Sequence, residues 1–197
     1  MILTRSLTRT ITGSEPLTSA EAKSHLRIDE DYEDAQISDL ITLARQKLEV
    51  DTRRTLIAST WTARYDRFPY SVTDIIELPR PPLLTVSHVK YINTEGTLTT
   101  WSSSEWTSDI NAEPGFVRLV YSYSWPTPRD EPGAVRIEHT AGYAAVDARV
   151  KHAMRMLVGH YYENREAVVV SQGYGSLTVP LGYESLVGAL SWGGELG

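Results

Sequence analysis

Hydrophobic positions along the chain change their period twice. Between Leu17 and Thr52 they recur at helical spacing, and Ile37, Leu40, Ile41, Ala44 and Leu48 fall on one face at i, i+3, i+4, i+7 and i+11. This stripe predicts a helix over Asp31–Val50, about 30 Å long. A shorter helix is predicted before it, ending near Leu26. Its start, Thr18-Ser19-Ala20-Glu21, has the hydroxyl-to-carboxylate spacing of a capping box. Between the two lies an acidic run, Asp29, Glu30, Asp31, Glu33 and Asp34, whose charge favours the positive end of the helix that follows.

From about Ala58 to Tyr143 the pattern becomes alternation. Strands are predicted at Thr60–Tyr65, Ile75–Leu78, Val86–Ile92, Thr97–Trp101, Phe116–Tyr121 and Ala134–Thr140. Asn93-Thr94-Glu95-Gly96 has the composition of a hairpin loop, and Glu113-Pro114-Gly115 and Glu131-Pro132-Gly133 mark further turns. Pro79, Pro81 and Pro82 read as an extended connector, because proline biases its predecessor away from helix. From Asp147 the helical period returns, with Val150, Ala153, Met154, Leu157, Val158 and Tyr161 on one face of a helix ending near Arg165. The remainder, from Glu166, contains no Lys or Arg. It runs through an apolar piece (Ala167–Val170) and a Gly/Ser stretch (Ser171–Ser176) to Pro180, which suits the first position of a last short helix over Leu181–Leu190.

The predicted fold class is α+β: a small helical bundle of two N-terminal helices and a later one, with an inserted antiparallel β module and an extended C-terminal tail ending in a short helix. The expected organisation is a helical part over 1–57, the β module over 58–143, a bundle-completing helix over 144–166 and a partner-binding tail over 167–197. Neither helical stretch can bury its stripe alone, so the two are expected to pack together.

Composition narrows the chemistry. The 197 residues suffice for one domain with a sizeable insertion, and 41% hydrophobic with 22% charged residues is globular rather than disordered. The absence of Cys excludes disulfides and thiolate metal sites. No apolar run approaches the roughly 20 residues of a membrane helix. The Thr-rich start, Met1–Gly13, carries Arg5 and Arg9 but no continuous apolar segment, so a soluble cytoplasmic product without a secretory signal is expected. A net charge of −6 lacks the electrostatic footprint of a nucleic-acid binder. Arg far outnumbers Lys, which suits bidentate pairing with carboxylates at protein interfaces.

No catalytic or metal-binding pattern emerges. His152 and His160 lie two turns apart on one predicted helix, roughly 12 Å along its axis, too far to share an ion. His160 and Glu163 are three apart but lack a second such pair elsewhere. A calcium loop beginning at Asp29 needs Gly sixth and Glu twelfth, where this chain has Asp34 and Leu40. There is no Gly-x-Ser-x-Gly elbow around Ser176 and no phosphate loop of the Gly-x-x-x-x-Gly-Lys type. Hence no enzyme activity, cofactor or metal is expected. Trp61, Trp101, Trp106 and Trp125 all fall in the β module, where they either fill its core or present flat rings to a sugar, a base or a protein.

Three phrases, in this order and spacing, resemble one family. They are Leu17-Thr18-Ser19-Ala20-Glu21-Ala22-Lys23-Ser24-His25-Leu26-Arg27-Ile28 followed by acids and a long helix; Leu78-Pro79-Arg80-Pro81-Pro82-Leu83 followed by Val86, Val89, Lys90 and Tyr91; and Leu157-Val158-Gly159-His160-Tyr161-Tyr162-Glu163-Asn164-Arg165-Glu166-Ala167-Val168. Together they resemble the head–tail connector (adaptor) proteins of long-tailed phages, prophages and gene transfer agents, in the subfamily with a β insertion. The resemblance implies a non-enzymatic ring subunit, a dodecamer, at the head–tail junction of a virion or virus-like particle assembled in the host cytoplasm. Its implied partners are the portal protein and a tail-side stopper or tail-terminator protein, with DNA passing through the channel without sequence-specific binding and no membrane involved.

In such a ring, Asp31, Glu33 and Asp34 are expected to meet Arg53, Arg54, Arg155 and Arg165 across the subunit interface, with Arg45 a further cation of this kind. Leu181, Tyr183, Leu186, Leu190 and Trp192 are expected to contact the portal, and truncation from Ser171 is expected to leave a folded subunit. The alternative reading is a virion module that binds carbohydrate or a host surface through the aromatic β stretch.

Overall fold

The structure is a computed structural model, and it describes residues 4–164 and 181–191. The chain divides into two compact units: Met1–Gly13 with Ile57–Ala144, and Ser14–Leu56 with Ala145–Gly197.

The first unit is built from β-strands. Strands β1 (Ser6–Ile11), β2 (Ser59–Tyr65), β4 (Leu83–Ile92), β5 (Leu98–Thr100) and β8 (Val135–Ala141) form an antiparallel sheet in the order β1-β2-β8-β4-β5. A second, three-stranded sheet has β3 (Ile76–Glu77), β7 (Phe116–Leu119) and β6 (Trp106–Asp109) in the order β3-β7-β6. Along β2 and β8 every second residue is buried, the period a half-buried strand imposes. The core between them gathers Ala63, Tyr65, Val89, Val135 and Ile137 from the larger sheet with Ile76, Leu78, Trp106 and Val117 from the smaller sheet and its flanks. Residues 6–11, which the sequence reading grouped with the helices, instead form the edge strand β1, paired from Ser6↔Arg64 to Ile11↔Ser59. Strand β6 was also absent from the predicted set.

Gly115 sets how closely the two sheets approach. Its N-side neighbours form the turn, and its carbonyl accepts the Leu78 N–H at 2.8 Å. A Cβ built there would lie 2.5 Å from the Cβ and Cδ2 of Leu83 in β4 and 3.1 Å from the Asp109 carbonyl. Gly115→Ala should therefore destabilise by about 1–3 kcal/mol through overpacking, seen as a lower urea midpoint with an unchanged slope.

One row across the larger sheet departs from apolar packing. Arg9, Trp61, His139 and Val86 stand side by side in register on β1, β2, β8 and β4. The Arg9 guanidinium lies 5.1 Å from the Trp61 ring centroid, and its Nε donates to Ser59 Oγ at 2.9 Å. His139 is fully buried, and neither ring nitrogen makes a hydrogen bond of ordinary geometry. Burial pushes its imidazole down to about 4, and the nearby carbonyls of Ile137 and Pro79 oppose this only in part.

The second unit is helical, with α1 (Ser19–Leu26), α2 (Asp34–Thr52), α3 (Ala148–Glu163) and α4 (Leu181–Leu190). The predicted capping box is present: the Glu21 N–H donates to Thr18 Oγ1 at 3.2 Å, and the Thr18 N–H donates to Glu21 Oε2 at 3.0 Å. α1 and α2 end on left-handed residues, Arg27 and Arg53, and Asp147 caps α3 by accepting the Arg149 N–H at 2.7 Å. α2 packs on α3, α1 touches both, and α4 lies against α2 and α3. The predicted stripes face one another: Ile37, Ile41, Ala44 and Leu48 are buried with Val150, Ala153, Met154, Leu157 and Val158. The helical stretches separated by about ninety residues thus form one core.

Candidate interaction surfaces

The acidic run after α1 is largely occupied within its own unit. Lys23 donates to Asp31 at 2.5 Å and to Asp34 at 2.8 Å, which lowers the Asp31 carboxyl and raises the Lys23 ammonium. The Tyr162 hydroxyl donates to Glu33 at 2.5 Å, joining α3 to the start of α2. Asp29 and Glu30 are exposed and have no partner among the described residues, and between them and Glu33 Tyr32 stands 80% exposed.

The expected cations are placed as follows. Arg155 reaches Glu21 at 3.4 Å beside Lys151, which donates to the same oxygen at 2.8 Å and is the main reason the Glu21 carboxyl is held down at about 2. Arg54 Nε donates to the Leu190 carbonyl at 2.8 Å, closing the end of α4. Arg53 is exposed at the left-handed end of α2. Arg165 lies outside the described residues. The structure therefore brings Arg155 and Arg54 to contacts inside the helical unit, while Asp31 and Asp34 meet Lys23 and Glu33 meets Tyr162.

Arg45 departs furthest from expectation. It is 2% exposed, its Nε 2.9 Å from Glu15 and its terminal nitrogen 2.8 Å from Glu49, one turn along α2. The other Glu49 oxygen accepts the Leu56 N–H at 2.8 Å, and Thr42 donates to Glu15 at 3.1 Å. This network lies inside the unit, so Arg45 is not a surface cation. Sequence reasoning missed it because Arg on an apolar stripe reads as an interruption. The available signal was Glu49 at i+4.

α4 presents a mixed face. Tyr183 is buried against its own unit, and its hydroxyl donates to Asp51 at 2.5 Å; burial and that carboxylate push the phenol up. Leu186 and Leu190 are half-buried, while Gly182, Glu184, Ser185, Gly188 and Ala189 are exposed. The side chain of Leu181 and all of Trp192 lie outside the described residues.

In the β unit, Trp61, Trp101 and Trp106 are buried. Trp125 stacks on Phe68 with ring centroids 5.4 Å apart. Trp101 and Trp106 belong to the core, and Trp125 packs against it half-buried. What the sequence did not single out is an open groove of about 930 Å³ lined by Val72, Thr73, Arg118, Leu119, Tyr121 and Tyr123, among others. Tyr121 is 95% exposed beside it. Among the described residues no group of His, Asp or Glu is placed to hold a metal ion, and no helix is long and apolar enough to cross a membrane.

Residues 18–111 match the phage gp6-like head-tail connector protein family. No curated protein sequence matches the chain. Among solved structures, the chain resembles one in the virion of a native gene transfer agent particle, at 21% identity, TM-score 0.75 and 97% coverage of each chain. It also resembles chains in the neck of the empty particle computed with C6 symmetry (20% identity, TM-score 0.76, 98% of each chain) and in the neck of the native particle computed with C12 symmetry (21% identity, TM-score 0.66, 96% of this chain and 98% of that one).

Proposed function

We infer that this chain, which carries the sequence pattern of phage gp6-like head-tail connector proteins over residues 18–111, is a structural connector subunit in the neck of a virion or virus-like particle. The family match carries the reading. The fold it shares over nearly its whole length with gene transfer agent neck chains supports it. The role is non-enzymatic and works through surfaces: an oligomeric ring at the head–tail junction, continuing the DNA channel. The C6 and C12 symmetries of the neck structures with this fold favour a ring of twelve. A closed ring needs two different surfaces on each subunit, one meeting the other on the next copy. The carbohydrate-binding alternative loses its support with the burial of Trp61, Trp101 and Trp106.

The portal protein is the head-side partner in this reading, a stopper or tail-terminator protein the tail-side one. The exposed face of α4 and the residues after it are the portal-contacting part. Truncation from Ser171 is too blunt a test, because it also removes Tyr183 from α2 and uncovers the helical core. Ala189→Glu with Gly188→Glu places charge on the exposed face alone. The double variant is expected to keep its circular dichroism spectrum and to lose co-purification with the portal by more than about tenfold, since an unpaired charge in a desolvated interface costs several kcal/mol. Undiminished co-purification would reject α4 as the contact. A particle reconstruction with this chain anywhere but the vertex joint would reject the connector role.

A further inference from the structure

We propose that the groove of the β unit is the socket of the ring interface, and that it receives the acidic loop carrying Tyr32 from the adjacent copy of this chain. The inference rests on the ring reading and names the two surfaces that reading leaves open.

The socket is apolar and cationic. Of its lining residues Val72 is 56% exposed, Tyr121 95% and Tyr123 44%, and Tyr70, two residues before Val72 in the chain, is 82% exposed, a concentration of bare apolar surface that monomers rarely carry. Arg118 lines the groove and has no carboxylate partner among the described residues; Arg67, a few residues before the Val72–Thr73 wall in the chain, lies over the Tyr70 ring at 4.3 Å and donates to its hydroxyl. The one acid of that segment is Asp74. The walls are held in place. Trp125 Nε1 donates to the Ser71 carbonyl at 2.9 Å, fixing one wall to the irregular segment that leaves the other. The Tyr123 N–H closes a turn on Val120 at 3.2 Å, with Ser122 in left-handed backbone at φ 73°. A serine kept in that conformation is the kind of local strain that collects at binding surfaces.

The plug has the opposite character. Lys23 and Tyr162 hold Asp31, Asp34 and Glu33 to the helical unit, leaving Asp29 and Glu30 exposed without partners among the described residues and Tyr32 bare. An aromatic knob flanked by exposed carboxylates suits a tyrosine-lined groove that carries the exposed guanidinium of Arg118, and Tyr and Arg are the residues that concentrate interface energy. Because plug and socket differ, the contact is head-to-tail, the kind that closes rings.

The chain has no Cys, so paired cysteines report the contact directly. In assembled particles, Glu30→Cys combined with Thr73→Cys should give a ladder of covalent multimers with a short bismaleimide, while either substitution alone leaves monomers. Arg118→Glu should weaken ring incorporation about tenfold, and adding Glu30→Arg should restore it. All these positions are exposed, and an unchanged circular dichroism spectrum separates contact from folding. A ring seen in the particle without a ladder overturns the proposal and leaves the ring reading standing. Cross-links from Thr73→Cys to another virion protein overturn the choice of occupant. Particles without any ring of this chain overturn both.

Discussion

Replacing Arg45 by Ala is expected to cost about 3–5 kcal/mol of stability, close to the whole margin of an ordinary domain. The substitution removes a guanidinium that is 2% exposed and takes from Glu49, itself buried, the cation that stood 2.8 Å away, while its other oxygen still holds the Leu56 N–H. Glu15 is 30% exposed and can turn to water, so the loss is concentrated at Glu49. A second variant separates the value of the pair from the penalty of breaking it. In Arg45→Met with Glu49→Gln both charges of the pair are gone, and the Gln oxygen still accepts from Leu56, so most of the lost stability should return. Urea unfolding followed by helical circular dichroism checks both. If Arg45→Ala unfolds within about 1 kcal/mol of the parent, the network contributes little and the packing of Ile41 and Leu48 around it sets the stability.

Acidification is expected to remove about 3 kcal/mol of stability between pH 6.5 and pH 4 through His139 alone. In the unfolded chain this imidazole takes up its proton near 6.5, whereas in the folded sheet burial delays protonation to about 4. Over that window the unfolded state binds the extra proton. The stabilisation is therefore complete above pH 6.5, falls as the pH is lowered, and levels off below about 4. Glu21, held down at about 2, is lost in a lower window, from its ordinary 4.5 downwards, so the two effects separate along the pH axis. His139→Leu has no proton to take up and no unpaired ring nitrogens to bury. Its stability should be nearly constant between pH 6.5 and 4 as far as this site contributes, and at least equal to the parent at pH 7. Parallel pH profiles for parent and variant would show that position 139 does not set the acid limit.

What the sequence made legible was local. The capping box needs residues three apart, and the stripes of α2 and α3 need only a period, so both were readable. Strand β1 was not, because Ser6–Ile11 is an exposed edge strand whose alternation is blurred by Thr and Arg; its assignment comes from pairing with β2, over fifty residues away. β6 is four residues long, too short for a period to show. α2 begins at Asp34 rather than Asp31, since the preceding acids are drawn to Lys23 and Tyr162 instead of forming a first turn. The burial of Arg45 depends on Glu15, thirty residues earlier. The groove is assembled from the turn before β3, from β6 and from β7 with the turn that follows it, and no single run of sequence contains it. Charges found partners inside the unit wherever geometry allowed, and this is what sequence alone left open for Asp31, Asp34 and Arg155.

The β stretch enters and leaves at neighbouring points. β2 and β8 pair along their full length, Ile57 bridges Tyr143, and Gly142 fits against the Ile57 carbonyl, where a Cβ would lie 2.6 Å away. A segment whose two ends meet behaves as a cassette: to the helices it amounts to one short loop, whatever is wound between. Enlarging or trimming such a cassette is expected to leave the packing of α2 on α3 as it is, because the cost of closing the replacement rises only slowly with its length. One strand resists this freedom. β1 arrives from the N-terminus and would be stranded by any exchange that removed β2, so the leading residues and the cassette must change hands together.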